Sequence, residues 1–411
     1  MQPFQSTSIL LPEGADMEKW AVIACDQFTS QPEYWEAAKE KVGCAPSALS
    51  MIFPEVWLDG DRSARISAIQ KSMEDALEKG LFKNYDKAYV YVERTLKNGA
   101  VRQGVVGAID LETYDYRPDA ASQIRATEKT VVERIPPRMA IRGGAKLELS
   151  HVLLLCSDEQ KQLIEPLADR TDKLPKLYDF DLMLGGGHIS GWLLAGPDAE
   201  AFDSAVAEYE QRMAKAQGCG RDKALLYAVG DGNHSLATAK ECYEALKKQR
   251  PGTDTKSWPA RYAMVELGNV YSDALQFEPI HRIVKGVSPD ALLAALRPLC
   301  AADGTGITWV SGGRRGTVSL DCRGRLPVAV LQDFLDEYLA SVPGEIDYIH
   351  GEAALEQLSQ PENAIGFLLP GMKKEELFPG IVKGGVLPRK TFSMGHAEEK
   401  RYYLEARRIQ A

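Results

Sequence analysis

Two runs of strand-forming residues, Ala88 to Thr95 and Val101 to Leu111, flank Lys97-Asn98-Gly99-Ala100. Asn-Gly between such runs is a strong short-range hairpin signal, because the tight turn that matches strand twist needs positive φ at both central residues. An antiparallel pair is therefore built in. Farther along, the apolar run Ala224-Leu225-Leu226-Tyr227-Ala228-Val229 passes through Gly230-Asp231-Gly232-Asn233-His234-Ser235 into a helical pattern reaching Lys248. A chain holding both hairpins and a strand-to-helix unit, with irregular alternation, reads as α+β (mixed α/β) with a mixed sheet rather than a doubly wound parallel one.

The remaining periodicities fill in that frame. Ile66, Ile69, Met73, Leu77 and Leu81 recur at helical spacing, so 63–79 is predicted as an amphipathic helix ended near Gly80. His151 to Cys156 reads as a buried strand, followed by a helix from Asp158 to Asp169. Asp198 offers a cap for a helix running to Ala216. Gln123 to Pro137 is dense in charge and starts a short helix that Pro136-Pro137 would stop. Strands are expected at Tyr262 to Leu267 and Ile280 to Val284. After Ser288-Pro289 the pattern changes to helices near 289–300 and 328–341 around a hairpin at Gly312 to Gly316. Residues 380–410 read as loop until a strand at Arg401 to Ile409. Two units are expected, a catalytic core over 1–286 and a smaller α/β unit with a basic, Gly-rich tail over 287–411.

With 45% hydrophobic and 26% charged residues, the chain can bury a large core without disulfide or metal staples. Its formal net charge of -9 argues against a nucleic-acid partner, whose binding rests on phosphate neutralisation by Lys and Arg. A local cluster of cations for a small anion is still compatible with an acidic total. The seven cysteines form no CxxC pair, which fits reduced thiols. No apolar run approaches the roughly 20 residues that cross a bilayer, and Met1 to Gln5 lacks the features of a signal peptide. A cytoplasmic protein with no membrane partner is the expectation.

Gly230 to Ser235 carries the chemistry-bearing side chains. Glycines at 230 and 232 permit backbone angles and close approach that a Cβ would forbid. A helix start offers unpaired N–H groups and a positive dipole end, together a ready anion site. Asp231, Asn233, His234 and Ser235 add an acid, an amide, an imidazole and a hydroxyl. The competing reading is a polar turn in which Asn233 or Ser235 merely caps the helix. Ile124 to Arg138 mixes Arg125, Lys129, Arg134 and Arg138 with Glu128 and Glu133 around Thr127 and Thr130; at helical spacing, paired charges on a solvated face are the stronger reading. His281-Arg282 opens a strand, where a structural role competes with ligand binding, and Lys383, Arg389 and Lys390 sit among glycines in a cationic loop. Gly185-Gly186-Gly187-His188 is neither GxGxxG nor a P-loop, and neither HExxH nor GxSxG occurs. Cys25, ahead of Asp26, reads as a small buried residue rather than a nucleophile.

Ile124 to Glu128, Arg134 to Arg138, Gly230 to His234, His281-Arg282 and Leu387 to Lys390 together resemble a large uncharacterised bacterial and archaeal family, the domain of unknown function one thousand and fifteen. That family usually carries Asp-Gly-His-His-Arg where this chain has Asp231-Gly232-Asn233-His234-Ser235, so the first His and the Arg are replaced. The signature is also similar to that of archaeal ADP-dependent free serine kinases and their siderophore-linked relatives, which share the ParB/sulfiredoxin-like fold. The resemblance implies a nucleotide-dependent kinase of free serine or a similar small hydroxy compound, using Mg²⁺ and ATP or ADP. It implies Asp231 and His234 as catalytic residues, with Asp231 on the metal, and Glu128 or Asp26 as the acid that activates the hydroxyl. Phosphate or nucleotide contacts fall to Gly230, Gly232, Asn233, Ser235, Arg125, Thr127, Lys129, Arg134, Arg138, His281, Arg282 and Lys390. A phosphoserine phosphatase, or a regulator that binds a nucleotide without turnover, are the alternatives.

Overall fold

A computed structural model of the chain describes residues 2–58 and 62–410. The chain divides into two compact units: residues up to Leu275 together with those from His396 onward, and Gln276–Gly395. The expected division at 286/287 therefore moves to Leu275, and the end of the chain belongs to the first unit, not the second. The reason is pairing: Tyr402–Tyr403 bonds antiparallel to Val22–Ile23, and Ala406–Arg408 lies between Thr7–Pro12 and Leu147–Leu149.

The first unit is organised by a thirteen-stranded mixed sheet. Its relevant members are β1 (Thr7–Pro12), β2 (Phe82–Thr95), β3 (Val101–Asp110), β4 (Ile124–Ala126), β5 (Leu153–Cys156), β6 (Tyr227–Asp231) and β7 (Tyr262–Asn269). Across the sheet they run β4-β6-β5-β7-β3-β2-β1. β2 and β3 form the hairpin that Asn98-Gly99 announces, with Val90 opposite Val106 and Thr95 opposite Val101. β6 runs parallel to β4 and antiparallel to β5, while β7 runs parallel to β5. Both faces are buried, because successive side chains alternate across a strand. Tyr89, Tyr91, Val105 and Val265 pack with Phe202, Tyr209 and Tyr243. Val90, Val92, Val106 and Met264 face the other way, onto Trp20, Trp35, Ile69 and Met73. The α+β class and the mixed sheet are as expected.

Local differences have local causes. Ile135–Gly143 is a helix, here α1, that starts with its prolines in the first turn, so Pro136-Pro137 opens it rather than ending one. Between 158 and 169 only the 3₁₀ turn Glu165–Arg170 forms, because Asp158 turns its carboxylate back onto the N–H groups of Gln162 and Leu163. The helix Pro197–Ala216 is N-capped by Gly196, while Asp198 pairs with Arg170. Helix α2, Asn233–Gln249, follows β6 as predicted.

In the second unit, five strands run Arg314–Leu320, Cys300–Ser311, Ala364–Leu368, Phe277–Lys285, Glu345–His350, and Phe392–Met394 pairs with Phe277–Lys285. All of these pairings are antiparallel. Pro289–Leu296 and Pro327–Ser341 cover the sheet through Leu292, Leu331 and Leu335. The expected loop from 380 instead begins inside the helix Lys374–Gly384.

Candidate functional site

β4 and β6 are parallel neighbours, with Ala126 opposite Val229, so both deliver their C-terminal ends to one edge. Helix α1 follows the first and α2 the second. Crevices outside the carboxyl ends of such strands are where open sheets bind ligands. Thr127 locks the register by donating its hydroxyl to the Val229 carbonyl at 2.7 Å, and so carries Glu128, half-buried, alongside Gly230 and Asp231.

At the tip of β6 the chain turns through Gly232, which has φ +81° and serves as the N-cap of α2. A Cβ there would come within 3.0 Å of Val152 and adopt a disfavoured backbone angle, so glycine is required twice over. Having no side chain, this N-cap makes no side-chain capping bond. The reading in which Asn233 or Ser235 caps the helix is thereby replaced: both lie past the cap, in the first turn. Two buried polar atoms at this corner have no hydrogen-bond partner among the described residues, Asn233 Oδ1 and Thr130 Oγ1.

His234 accepts a hydrogen bond from the Val131 N–H at Nε2 (3.2 Å), so the neutral ring carries its hydrogen on Nδ1. Burial, then the charges of Arg138 and Arg134, push its pKa down to about 4. At neutral pH it is an uncharged donor. Arg138 is itself held by Glu55 and by the Arg134 carbonyl. Arg134 and Lys129 are exposed.

The opposite wall was not foreseen. Val22–Ile23 pairs with Tyr402–Tyr403, and the Ala24 N–H continues that ladder to the Arg401 carbonyl at 3.0 Å. This brings Asp26 and Lys400 to the end of β6. Lys400 Nζ lies 2.9 Å from Asp231 Oδ2, with only 12% of its side chain exposed. Asp26 Oδ2 is 3.8 Å from His151 Nε2, while His151 Nδ1 is 2.7 Å from the Tyr403 hydroxyl. Burial opposes ionisation of Asp26, but His151, the Gln27 amide and Lys400 outweigh it and hold the carboxyl below its ordinary pKa. Desolvation, then Asp26, push the Cys25 thiol up to about 12, which disfavours the thiolate a nucleophile would need.

The main chain that presents Lys400 is clamped. Arg94, 1% exposed, donates to the carbonyls of Gly186, Glu398, Glu399 and Lys400. Arg102 adds a bond to the Glu399 carbonyl at 2.9 Å, and Arg401 is buried against Glu266 at 2.8 Å and Glu405 at 2.7 Å.

Four expected ligands do other work. Arg125 is buried and spends its guanidinium on the carbonyls of Ser122 and Lys223, and Thr127 is the β4–β6 stitch. In the second unit, His281 Nδ1 accepts from the Leu369 N–H, and Arg282, fully buried, donates to Gln332 and to the carbonyls of Ile280, Arg389 and Lys390. Lys390 is exposed. Asp231, the carboxylate expected on magnesium, is engaged by Lys400, and among the described residues no three His, Cys, Asp or Glu side chains are grouped to ligate a metal. Among the described residues, no helix is long and apolar enough to cross a membrane.

Several solved structures are similar to this chain. A free serine kinase in complex with AMP is 14% identical at a TM-score of 0.36, covering 74% of this chain and 91% of its own. A mutant free serine kinase in complex with ADP is 13% identical at 0.37, covering 77% and 95%. SbnI with a C-terminal truncation, from Staphylococcus aureus, is 10% identical at 0.36, covering 71% and 82%. No protein of curated function matches. The family model described as Protein of unknown function (DUF1015) matches residues 2–409, and the chain belongs to that family.

Proposed function

We propose that the first unit transfers a phosphoryl group from ATP or ADP to a small hydroxy compound of the free-serine type. The observation that carries the reading is the α2 N-terminus, uncapped by any side chain at Gly232, near an ionised carboxylate, with Lys400 on Asp231 and the charges of Arg138 and Arg134 acting on His234. Phosphoryl transfer asks a protein for little covalent chemistry; positioning and charge stabilisation suffice.

In this reading the donor's phosphates rest on the first-turn N–H groups of Asn233, His234 and Ser235. His234 donates from Nδ1 to the phosphoryl being transferred, and its low pKa keeps it a hydrogen-bond donor rather than an acid. Arg138 and Arg134, whose charges act on His234, supply positive charge from the α1 side, and Lys129 would add to it from the β4 side. Asp26, with His151 and Tyr403 behind it, receives the proton of the substrate hydroxyl. The hydroxyl oxygen bonds to phosphorus, the donor's bridging P–O bond breaks, and the nucleotide leaves one phosphate shorter. Glu128, delivered by β4, is the alternative proton acceptor. Buried Asn233 Oδ1 is an acceptor suited to a substrate hydroxyl or amine.

The test is ³¹P NMR of the protein with ATP or ADP, serine and Mg²⁺. Phosphoserine should form, and Asp26→Asn should slow it about a hundredfold or more, the usual worth of a positioned base. Undiminished turnover in Asp26→Asn with loss in Glu128→Gln would move the base to Glu128. Phosphate release from phosphoserine without nucleotide would make the protein a phosphatase, and tight nucleotide binding without turnover would make it a regulator.

A further inference from the structure

We infer that Lys400 is the phosphate-binding cation of this site, stored on Asp231 and transferred to the ligand when a phosphate reaches the first turn of α2. The inference rests on the phosphoryl-transfer reading above, but concerns binding rather than turnover.

Three observations converge on it. First, Lys400 is out of bulk water, 12% exposed, yet its Nζ sits 2.9 Å from a carboxylate immediately before the α2 N-cap. Second, its backbone cannot drift. Arg94 grips the carbonyls of Glu398, Glu399 and Lys400 itself, and Arg102 repeats the grip on Glu399. Such a clamp leaves the flexible four-carbon stem as the moving part, so the ammonium can swing while its base stays fixed. Third, the corner holds a hydroxyl that has nothing to bond. Thr130 is 6% exposed and its Oγ1 has no partner among the described residues. It is the residue before Val131, whose N–H holds His234. An oxyanion held at the first turn of α2 would give that hydroxyl the acceptor it lacks.

The exchange is favourable for a simple electrostatic reason. Asp231 offers Lys400 one negative charge, whereas a phosphate ester near neutral pH offers between one and two, and more acceptor oxygens. The helix dipole adds to the pull on the phosphate. The Asp231 carboxylate is then released into a site that now holds the ligand. Asp231 thus acts as a placeholder anion, keeping a lysine aimed until its ligand arrives.

This makes an unusual prediction for binding. Calorimetric titration with inorganic pyrophosphate and with ADP should show Lys400→Met weakening both about ten- to hundredfold, as expected for loss of one charge-assisted contact. Lys400→Arg should retain much of the affinity. Asp231→Asn should bind pyrophosphate more tightly than the natural protein, and that gain should vanish in the Asp231→Asn, Lys400→Met double variant. Equal affinity in Lys400→Met, with a native circular dichroism spectrum, would overturn the inference and leave the phosphoryl-transfer reading standing. A fall in affinity in Asp231→Asn would also overturn it, since the pair would then be a structural unit. Lys400-dependent pyrophosphate binding without any serine phosphorylation would sustain the inference and sink the proposed function.

Discussion

Arg94 and Arg282 are built alike. Each is an arginine almost wholly buried on a strand, and each donates from its guanidinium to backbone carbonyls of a distant segment that carries a lysine. Arg94 fixes residues 398–400 and Arg282 fixes 389–390. The outcomes differ. The lysine tethered by Arg94 is packed against a carboxylate at a helix start, while Lys390, tethered by Arg282, points to solvent. The Arg282 guanidinium also lies over the ring of Tyr348, 4.7 Å from its centre, as does that of Arg389 at 5.2 Å. A buried arginine is thus a scaffold in both units, and function depends on what the tethered segment presents.

The sharpest way to break the comparison is to remove each scaffold. Arg94→Met should cost about 3 kcal/mol or more, because several buried carbonyls lose their donor at once. It should also abolish pyrophosphate binding. Arg282→Met should cost about as much in urea unfolding, yet leave pyrophosphate affinity unchanged. Loss of binding in Arg282→Met would erase the distinction between the units.

A smaller effect separates two titrating groups of the first unit. The His234 pKa is depressed to about 4 from an unfolded value near 6.5, so the unfolded chain binds the proton more readily between those values. Its contribution is complete above pH 6.5 and is lost as the pH falls toward 4. Glu210 behaves oppositely. Burial, against Arg221 and Tyr227, raises its pKa to about 7, so its contribution is complete below 4.5 and is lost as the pH rises to 7. His234→Gln should flatten the loss of stability as pH falls from 6.5 toward 4, and Glu210→Gln the loss as pH rises from 4.5 to 7. The smallest expected effect is Lys390→Ala, within about 0.5 kcal/mol by urea unfolding, as for surface changes generally.

What could be read from residues alone follows from the range of the forces involved. The switch from an apolar run to helical spacing at 224–248 is local, and both β6 and α2 formed where it predicted. The Asn98-Gly99 turn was local too. Asp231 and His234 were legible together in one loop, while Asp26 entered only through the resemblance and Lys400 not at all. Lys400 meets Asp231 only because Tyr402–Tyr403 pairs with Val22–Ile23, a contact between opposite ends of the sequence that no spacing encodes. Arg125, Arg282 and His281 were misread for a related reason. A basic residue in a strand looks like a ligand until its carbonyl partners, set by the tertiary fold, are known. Pro136-Pro137 failed locally, since a proline pair can open a helix as well as close one.

The second unit is an excursion between Leu275 and His396, and that order has a consequence for biosynthesis. A nascent chain would display Asp26, His151, Asp231 and His234 early. Lys400 and Tyr403 would emerge only after the entire second unit had been made. Until then the Asp231 carboxylate would stand without its counter-charge, and Val22–Ile23 without its strand partner. The Lys400–Asp231 pair therefore forms only after the second unit has been made, so the order of synthesis sets when this corner becomes charge-balanced.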